Sequence, residues 1–420
     1  MKRSPALVIF GRLWLFWAVL SIIMAEGATN TWDGGGADDS WSIGENWNPD
    51  GVMPVSASNT TVKLDGPNRT SPVQNLAAPF MLNRLEILNG TSAFYLSGSQ
   101  LQFIADGLTQ PKIYSTREAT STIANDIDIP DGTTLYFEMG TYHLNLNGII
   151  SGGGSIDKLQ NAGGITLNNI SNSFSGGLTI RGIDNDWYKV NVNTSNALGA
   201  GSVNLYGGTM ITNAVNPGGL IFFNTTSHTN QINLFQNSPI FVGLPTGAAS
   251  VTLDGNLDLN SFTLTLRGGG TGTISGIISE GATNAVTKVD SGTWRLSGEN
   301  TFTGAVTVST GMLTINGSVN ASINVQDGAI VNGFGTLNWH QGETVDVAGT
   351  LDISQLHLNL QVLDSERQEF IIVDYSSGSL VGATFASVAG KPNNCGLIYD
   401  STNKLIVLRS YNKGTVFMIQ

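Results

Sequence analysis

Two stretches of this chain repeat each other at a fixed distance, and that limits the folds open to it more than any other feature. They are Gly163–Gly182, GGITLNNISNSFSGGLTIRG, and Gly292–Gly317, GTWRLSGENTFTGAVTVSTGMLTING. Asn172 and Asn300, Phe174 and Phe302, and Gly176 and Gly304 are each 128 residues apart. The same offset separates Gly148-Ile-Ile-Ser151 from Gly276-Ile-Ile-Ser279, and Lys158 and Lys288 precede the two copies. In the later copy Trp294 and Leu296, Val306 and Val308, and Leu313 and Ile315 alternate with polar or small residues between Gly298, Gly304, Gly311 and Gly317. This reads as short strands separated by turns.

A unit of about 20–25 residues with roughly three short strands cannot cover its own apolar face, so it must stack on a neighbour. Coils stacked about 4.8 Å apart form a parallel β-helix, and an offset of 128 residues then spans about five or six coils. Leu296, Val306, Val308, Leu313 and Ile315 are expected inside, Thr, Ser and Asn outside, and the glycines at corners that need positive φ. A pair of β-sandwiches is the alternative that short strands alone allow; the repeat favours the solenoid.

Lys288-Val-Asp-Ser-Gly-Thr-Trp-Arg-Leu-Ser-Gly-Glu-Asn-Thr-Phe-Thr-Gly-Ala-Val-Thr-Val308, followed by Gly311-Met-Leu-Thr-Ile-Asn-Gly317, resembles the autotransporter-associated β-strand repeat. Ser291-Gly292 stands where that family has two spaced glycines, and Ala305 where it usually has Gly; the copy from Lys158 to Ile180 is looser. The resemblance implies a right-handed parallel β-helix in an exported bacterial surface protein. It brings no catalytic residues with it.

Residues 1–27 read as a signal peptide: Lys2, Arg3 and Arg12 give a positive start, Leu13–Met24 is apolar, and Ala25-Glu26-Gly27 offers small residues for cleavage. Residues 28–60 hold Trp32, Trp41 and Trp47 and read as an N-terminal cap, since a solenoid must close its open end. The alternative for these indoles is sugar stacking. Residues 61–365 read as the solenoid, with repeats near 148–210 and 276–335, and residues 366–420 as its last coils and a C-terminal cap. Gln110–Asn125 is less regular and is expected to hold a lateral loop. The dozen residues after Leu408 leave no space for a membrane barrel, and no terminal anchoring signal is read there.

With 52 glycines, only 12% charged residues and 40% hydrophobic residues in regular alternation, the composition fits a folded, exported all-β chain. A net charge of −12 argues against nucleic acid or anionic membranes as partners. Cys395 is the single cysteine, so no intramolecular disulfide is expected, and it reads as a shielded apolar residue.

Catalytic and metal-binding signatures are missing: no G-x-S-x-G, H-E-x-x-H, P-loop or EF-hand pattern occurs, and no cofactor is expected. His143 and His357 read as outward strand positions. Gly34–Asp39 and Gly152–Asp157 approach a calcium-binding G-G-x-G-x-D turn but carry Ala37 and Ser155 at its third glycine. The first copy carries Arg181–Lys189 where the second turns tightly, and Asp184, Asp186, Trp187 and Tyr188 combine acceptors with aromatic faces, as a sugar site would. A polysaccharide lyase or hydrolase would need carboxylates on adjacent coils, for which Asp126, Asp128 and Asp131 or Asp184 and Asp186 are the candidates. With only 19 Lys and Arg in the chain, a lyase acting on anionic polysaccharide is disfavoured. The sequence therefore predicts a non-enzymatic solenoid, secreted or at the bacterial surface, with a structural or adhesive role. Its partners would be glycans or other surface proteins, with no membrane insertion after signal cleavage; a carbohydrate-binding protein is the second reading.

Overall fold

The computed structural model describes residues 28–159, 163–182, 189–207, 219–243, 248–280, 284–361 and 369–411. The expected signal peptide, residues 1–27, lies outside them.

Alternation becomes structure most plainly in the later repeat. Thr293–Leu296 pairs in parallel with Thr271–Ile274 on the coil below and Met312–Ile315 on the coil above. Leu296 thus lies between Ile274 and Ile315, and all three are fully buried. Trp294 stacks over Gly272, where a Cβ would collide with the indole ring. Leu296, Val306, Val308, Leu313 and Ile315 all face the interior, as their spacing predicts.

These strands build a parallel β-solenoid. A sixteen-stranded sheet runs along it from Val73–Gln74 to Glu369–Asp374, where the antiparallel pair Leu405–Ser410 and Cys395–Asp400 is added. A twelve-stranded sheet runs from Thr29–Trp32 to Ile278–Ser279, with Trp47–Asn48 antiparallel at its edge, and a four-stranded sheet from Ser318–Val319 to Ser387–Ala389 follows it. On the remaining side a four-stranded sheet from Phe80–Leu82 to Ile150–Ser151 gives way to an eight-stranded sheet from Thr225–His228 to Ser379–Val381. Parallel neighbours in each sheet are one coil apart, an arrangement no β-sandwich has.

The two repeats do not sit on the same side. Lys158 ends a strand of the twelve-stranded sheet, whereas Lys288 ends a strand of the sixteen-stranded one. Ile150–Ser151 and Ile278–Ser279, Ile165–Leu167 and Thr293–Leu296, and Leu178–Arg181 and Ala305–Val308 are displaced in the same way, each to the next sheet. From Ser155–Lys158 the chain passes Leu178–Arg181, Val203–Tyr206, Ile232–Leu234 and Leu257–Asp258 to reach Ile278–Ser279, five turns on. One further side brings it to Lys288. The offset is therefore five turns and about one third, and the second copy is rotated by one side.

Glycine acts differently from the expectation. Of Gly298, Gly304, Gly311 and Gly317 only Gly311 has positive φ, at 71°. The column Gly255, Gly276, Gly298, Gly317 is needed for close approach instead: a Cβ on Gly276, Gly298 or Gly317 would overlap the carbonyl oxygen of the glycine one coil below.

Gln110–Asn125 is not a lateral loop: it contains the strands Lys112–Ser115 and Ser121–Ile123 within the stacked coils. Between them Arg117 is buried, its guanidinium donating to the carbonyl oxygens of Gly66, Leu88, Asn89 and Ser92 and lying 4.2 Å from the Phe94 ring centre. A side chain that satisfies the backbone of earlier coils lets an irregular sequence keep the coil path.

Trp32, Trp41 and Trp47 are fully buried. Trp47 meets Trp32 and Trp41 edge to face at 5.2 and 5.3 Å, and Trp41 meets Phe80 at 5.3 Å. Their indoles offer no face to solvent, so stacking on a sugar is ruled out for this cluster. Cys395 is buried, and burial pushes its thiol pKa up.

Candidate functional site

A binding site built on the repeat would use the repeat's own polar residues. Asn300 Oδ1 accepts the Ile278 N–H from the coil below at 2.9 Å, and its Nδ2 donates to the Ser318 carbonyl on the coil above at 2.8 Å. Asn172 makes the same pair of bonds, to Ile150 N–H at 2.8 Å and the Ala197 carbonyl at 2.9 Å. Phe174 and Phe302 are buried beside them. Lys288 is buried too, and its Nζ donates to the carbonyl oxygens of Val289, Asp290 and Thr310; Lys158 Nζ donates to that of Leu159. Burial lowers their pKa values to about 8 and about 7. Asn172, Asn300 and Lys288 thus tie adjacent coils together, and all of these side chains are buried away from a ligand.

The outward face of the twelve-stranded sheet carries ion pairs between coils. Neighbouring coils there carry Lys63 against Glu86 at 3.5 Å, Lys112 against Glu138 at 2.6 Å and Arg181 against Asp157 at 2.7 Å. Arg181 Nε and Nη2 both bond the Asp157 carboxylate, and its guanidinium carbon lies 4.8 Å from the Tyr206 ring centre. Tyr206 in turn stacks on Phe235, with centres 4.7 Å apart and planes 10° apart. Arg181, Tyr206 and Phe235 thus form one column over three coils, each at or just past the end of its strand.

Two open grooves lie nearer the C-terminal end. One, about 300 Å³, is lined by Trp339, Glu343, Thr344, Glu369, Phe370 and Ile371. Glu343 lies 3.5 Å from His340, and Glu369 is paired with Arg409 at 2.8 Å. The other, about 220 Å³, holds Asp346 and Asp374, which are register partners on neighbouring coils. Burial, and then the charge of Asp374, raises the Asp346 pKa.

The site residues singled out in the sequence, Asp184, Asp186, Trp187 and Tyr188, lie outside the described residues; the strand Leu178–Arg181 leads to them. Asp126 and Asp128 are engaged within the fold. Asp126 Oδ1 accepts the Ile149 N–H, and Asp128 accepts from Gln102 at 2.7 Å. Asp157, the last residue of one calcium-like turn, is bound to Arg181, and Asp38 in the other accepts the Ser40 N–H. Among the described residues no three His, Cys, Asp or Glu side chains are grouped to share a metal. His357 faces outward and shares a hydrogen bond with Ser387, whereas His143 is half-buried, its pKa lowered to about 4 by burial and by Lys189 and Lys158.

Residues 160–182 and 286–315 match the passenger-associated transport repeat family. The chain carries passenger-associated transport repeats. The matched residues hold the Asn, Phe and Gly that join the coils, so the family pattern records how this solenoid is built. A stretch of 102 residues is 35% identical to the adhesin BmaC autotransporter of Brucella suis biovar 1 (strain 1330). The alignment covers 22% of this chain and 3% of the relative's length. No solved structure matches the chain.

Sequence reasoning missed the column of Arg181, Tyr206 and Phe235. Its members are far apart in the chain, and of the three only Arg181 falls within a repeat. The usable signal was that each stands at an outward position where its strand ends.

Proposed function

We propose that this chain is a secreted or surface-exposed bacterial β-solenoid with a structural or adhesive, non-enzymatic role. The observation that carries this reading is the coincidence of passenger-associated transport repeats, similarity to an autotransporter adhesin and a parallel solenoid. A solenoid with regular polar faces offers many weak contacts side by side, and many weak contacts add up to strong attachment when they engage together. The polar residues of the repeats are occupied in joining coils. Of the carboxylates weighed as catalytic, Asp126, Asp128, Asp131, Asp184 and Asp186, Asp126 and Asp128 hold local backbone and side chains, and Asp184 and Asp186 lie outside the described residues. The second observation counts against a catalytic role for Asp126 and Asp128, and the first moves any contact surface away from the repeat's own polar residues.

The test is retention of the purified chain, immobilised on beads, by bacterial cells and by a panel of polysaccharides, with release of new reducing ends measured in the same samples. Retention without new ends is expected. Retention no greater than on bare beads would remove the adhesive reading, and new chain ends would make the protein an enzyme.

A further inference from the structure

The face-to-face ring pair on the outer surface contrasts with the edge-to-face contacts of the core, which are made by Trp32, Trp41, Trp47, Phe80, Trp339 and Phe370. Tyr206 and Phe235 are parallel, and Phe235 stays 40% exposed. Arg181 covers the side of Tyr206 away from Phe235, and Asp157 holds Arg181 through two of its nitrogens. The column is fixed from below, and its last member, Phe235, keeps part of its surface open although the next coil continues above it, where Asn260 Nδ2 donates to the Leu234 carbonyl.

Beside it runs a second column. Asn204 and Asn233 stand two residues before Tyr206 and Phe235 on the same strands, roughly 7 Å away along the strand and on the same face. Asn233 Nδ2 donates to Asn204 Oδ1 at 2.9 Å, and Asn233 Oδ1 accepts from Gln231 Nε2 at 2.9 Å, so the amides of Gln231, Asn233 and Asn204 form one polar row beside the rings. An exposed ring next to amide donors and acceptors is the chemistry that recognises a sugar: the ring receives the C–H face of a pyranose, and amides bind its hydroxyls. Charge narrows the class. The cation of the column, Arg181, is already neutralised by Asp157, and the chain carries a net charge of −12, so nothing here attracts an anionic polymer.

We infer that the Arg181–Tyr206–Phe235 column and the Asn204–Asn233 pair form a binding surface for neutral glycans. This rests on the adhesive reading above and gives it a place and a ligand class. A stack that served only to hold coils together would affect melting and leave glycan retention alone.

The test uses the full chain with dextran, mannan and galactan as neutral probes and alginate as the anionic one. The variants are Phe235→Ala, Phe235→Trp and, as a control at another exposed ring, Phe334→Ala (Phe334 is 61% exposed). The expected result is retention of at least one neutral polysaccharide in preference to alginate, weakened about tenfold in Phe235→Ala and unchanged in Phe334→Ala. Phe235→Trp should keep retention, with a tryptophan emission that shifts when the polysaccharide is added. Circular dichroism on each variant checks that the fold is kept. Equal retention by wild type and Phe235→Ala, together with an unresponsive Phe235→Trp, would overturn the site and leave adhesion standing. Retention of cells but of no neutral polysaccharide would overturn the ligand class, and loss of all retention would remove the adhesive reading itself.

Discussion

The strand Thr225–His228 turns Thr226 and His228 inward, and His228 sits beside Phe222 with neither ring nitrogen hydrogen-bonded among the described residues. Burial lowers its pKa from 6.5 to about 4. The unfolded chain takes up this proton near pH 6.5 and the folded one only near pH 4. The stabilising effect is therefore complete above pH 6.5 and is lost as the pH falls through 4. A difference of that size corresponds to about 3 kcal/mol. Urea unfolding at pH 7 and pH 4.5 should show a fall in stability that is markedly smaller in His228→Leu; an identical fall in both proteins would mean that His228 does not titrate as its burial implies. His143, also lowered to about 4, adds a contribution of the same sign.

Between elements, the Asn–Phe pair of each repeat is the point where one coil is fastened to two others. Replacing Asn300 by Ala leaves the Ile278 N–H and the Ser318 carbonyl without their partner inside the solenoid. Unpaired buried groups cost about 1–3 kcal/mol each, so Asn300→Ala should destabilise by roughly 2–4 kcal/mol. Thr301→Ala, at an exposed neighbour, should stay near wild type. Urea midpoints check both, and a small loss in Asn300→Ala would show that water replaces the side chain. The pattern of Asn, Phe and Gly was legible in the sequence, yet its use was not. Spacing reveals that residues recur, and hydrogen-bond partners 18 to 25 residues away appear only once coils are stacked.

For the whole molecule, each coil touches mainly its neighbours, so a local defect should remain local. Trp41→Ala removes the central ring of the cluster formed with Trp47 and Phe80 and should cost about 3–5 kcal/mol. Hydrogen exchange is expected to accelerate in Thr29–Trp32 and Thr61–Asp65 and to remain slow in Ala305–Val308 and Val345–Val347. Acceleration of all four strands together would show that the solenoid unfolds as one cooperative unit.

The sequence alone determined the all-β class, the stacking of repeats and the inward residues of the later copy, because alternation and a 128-residue offset are local or one-dimensional signals. It misread Gln110–Asn125, since the bonds of Arg117 to earlier coils leave no local pattern. It did not show that the copies lie on different sides, because an offset counts residues, whereas the number of turns depends on how many residues each corner consumes. The column of Arg181, Tyr206 and Phe235 also came only with the tertiary structure. Side chains on successive coils become neighbours through the register of parallel strands, and that register is set by the packing of the whole solenoid.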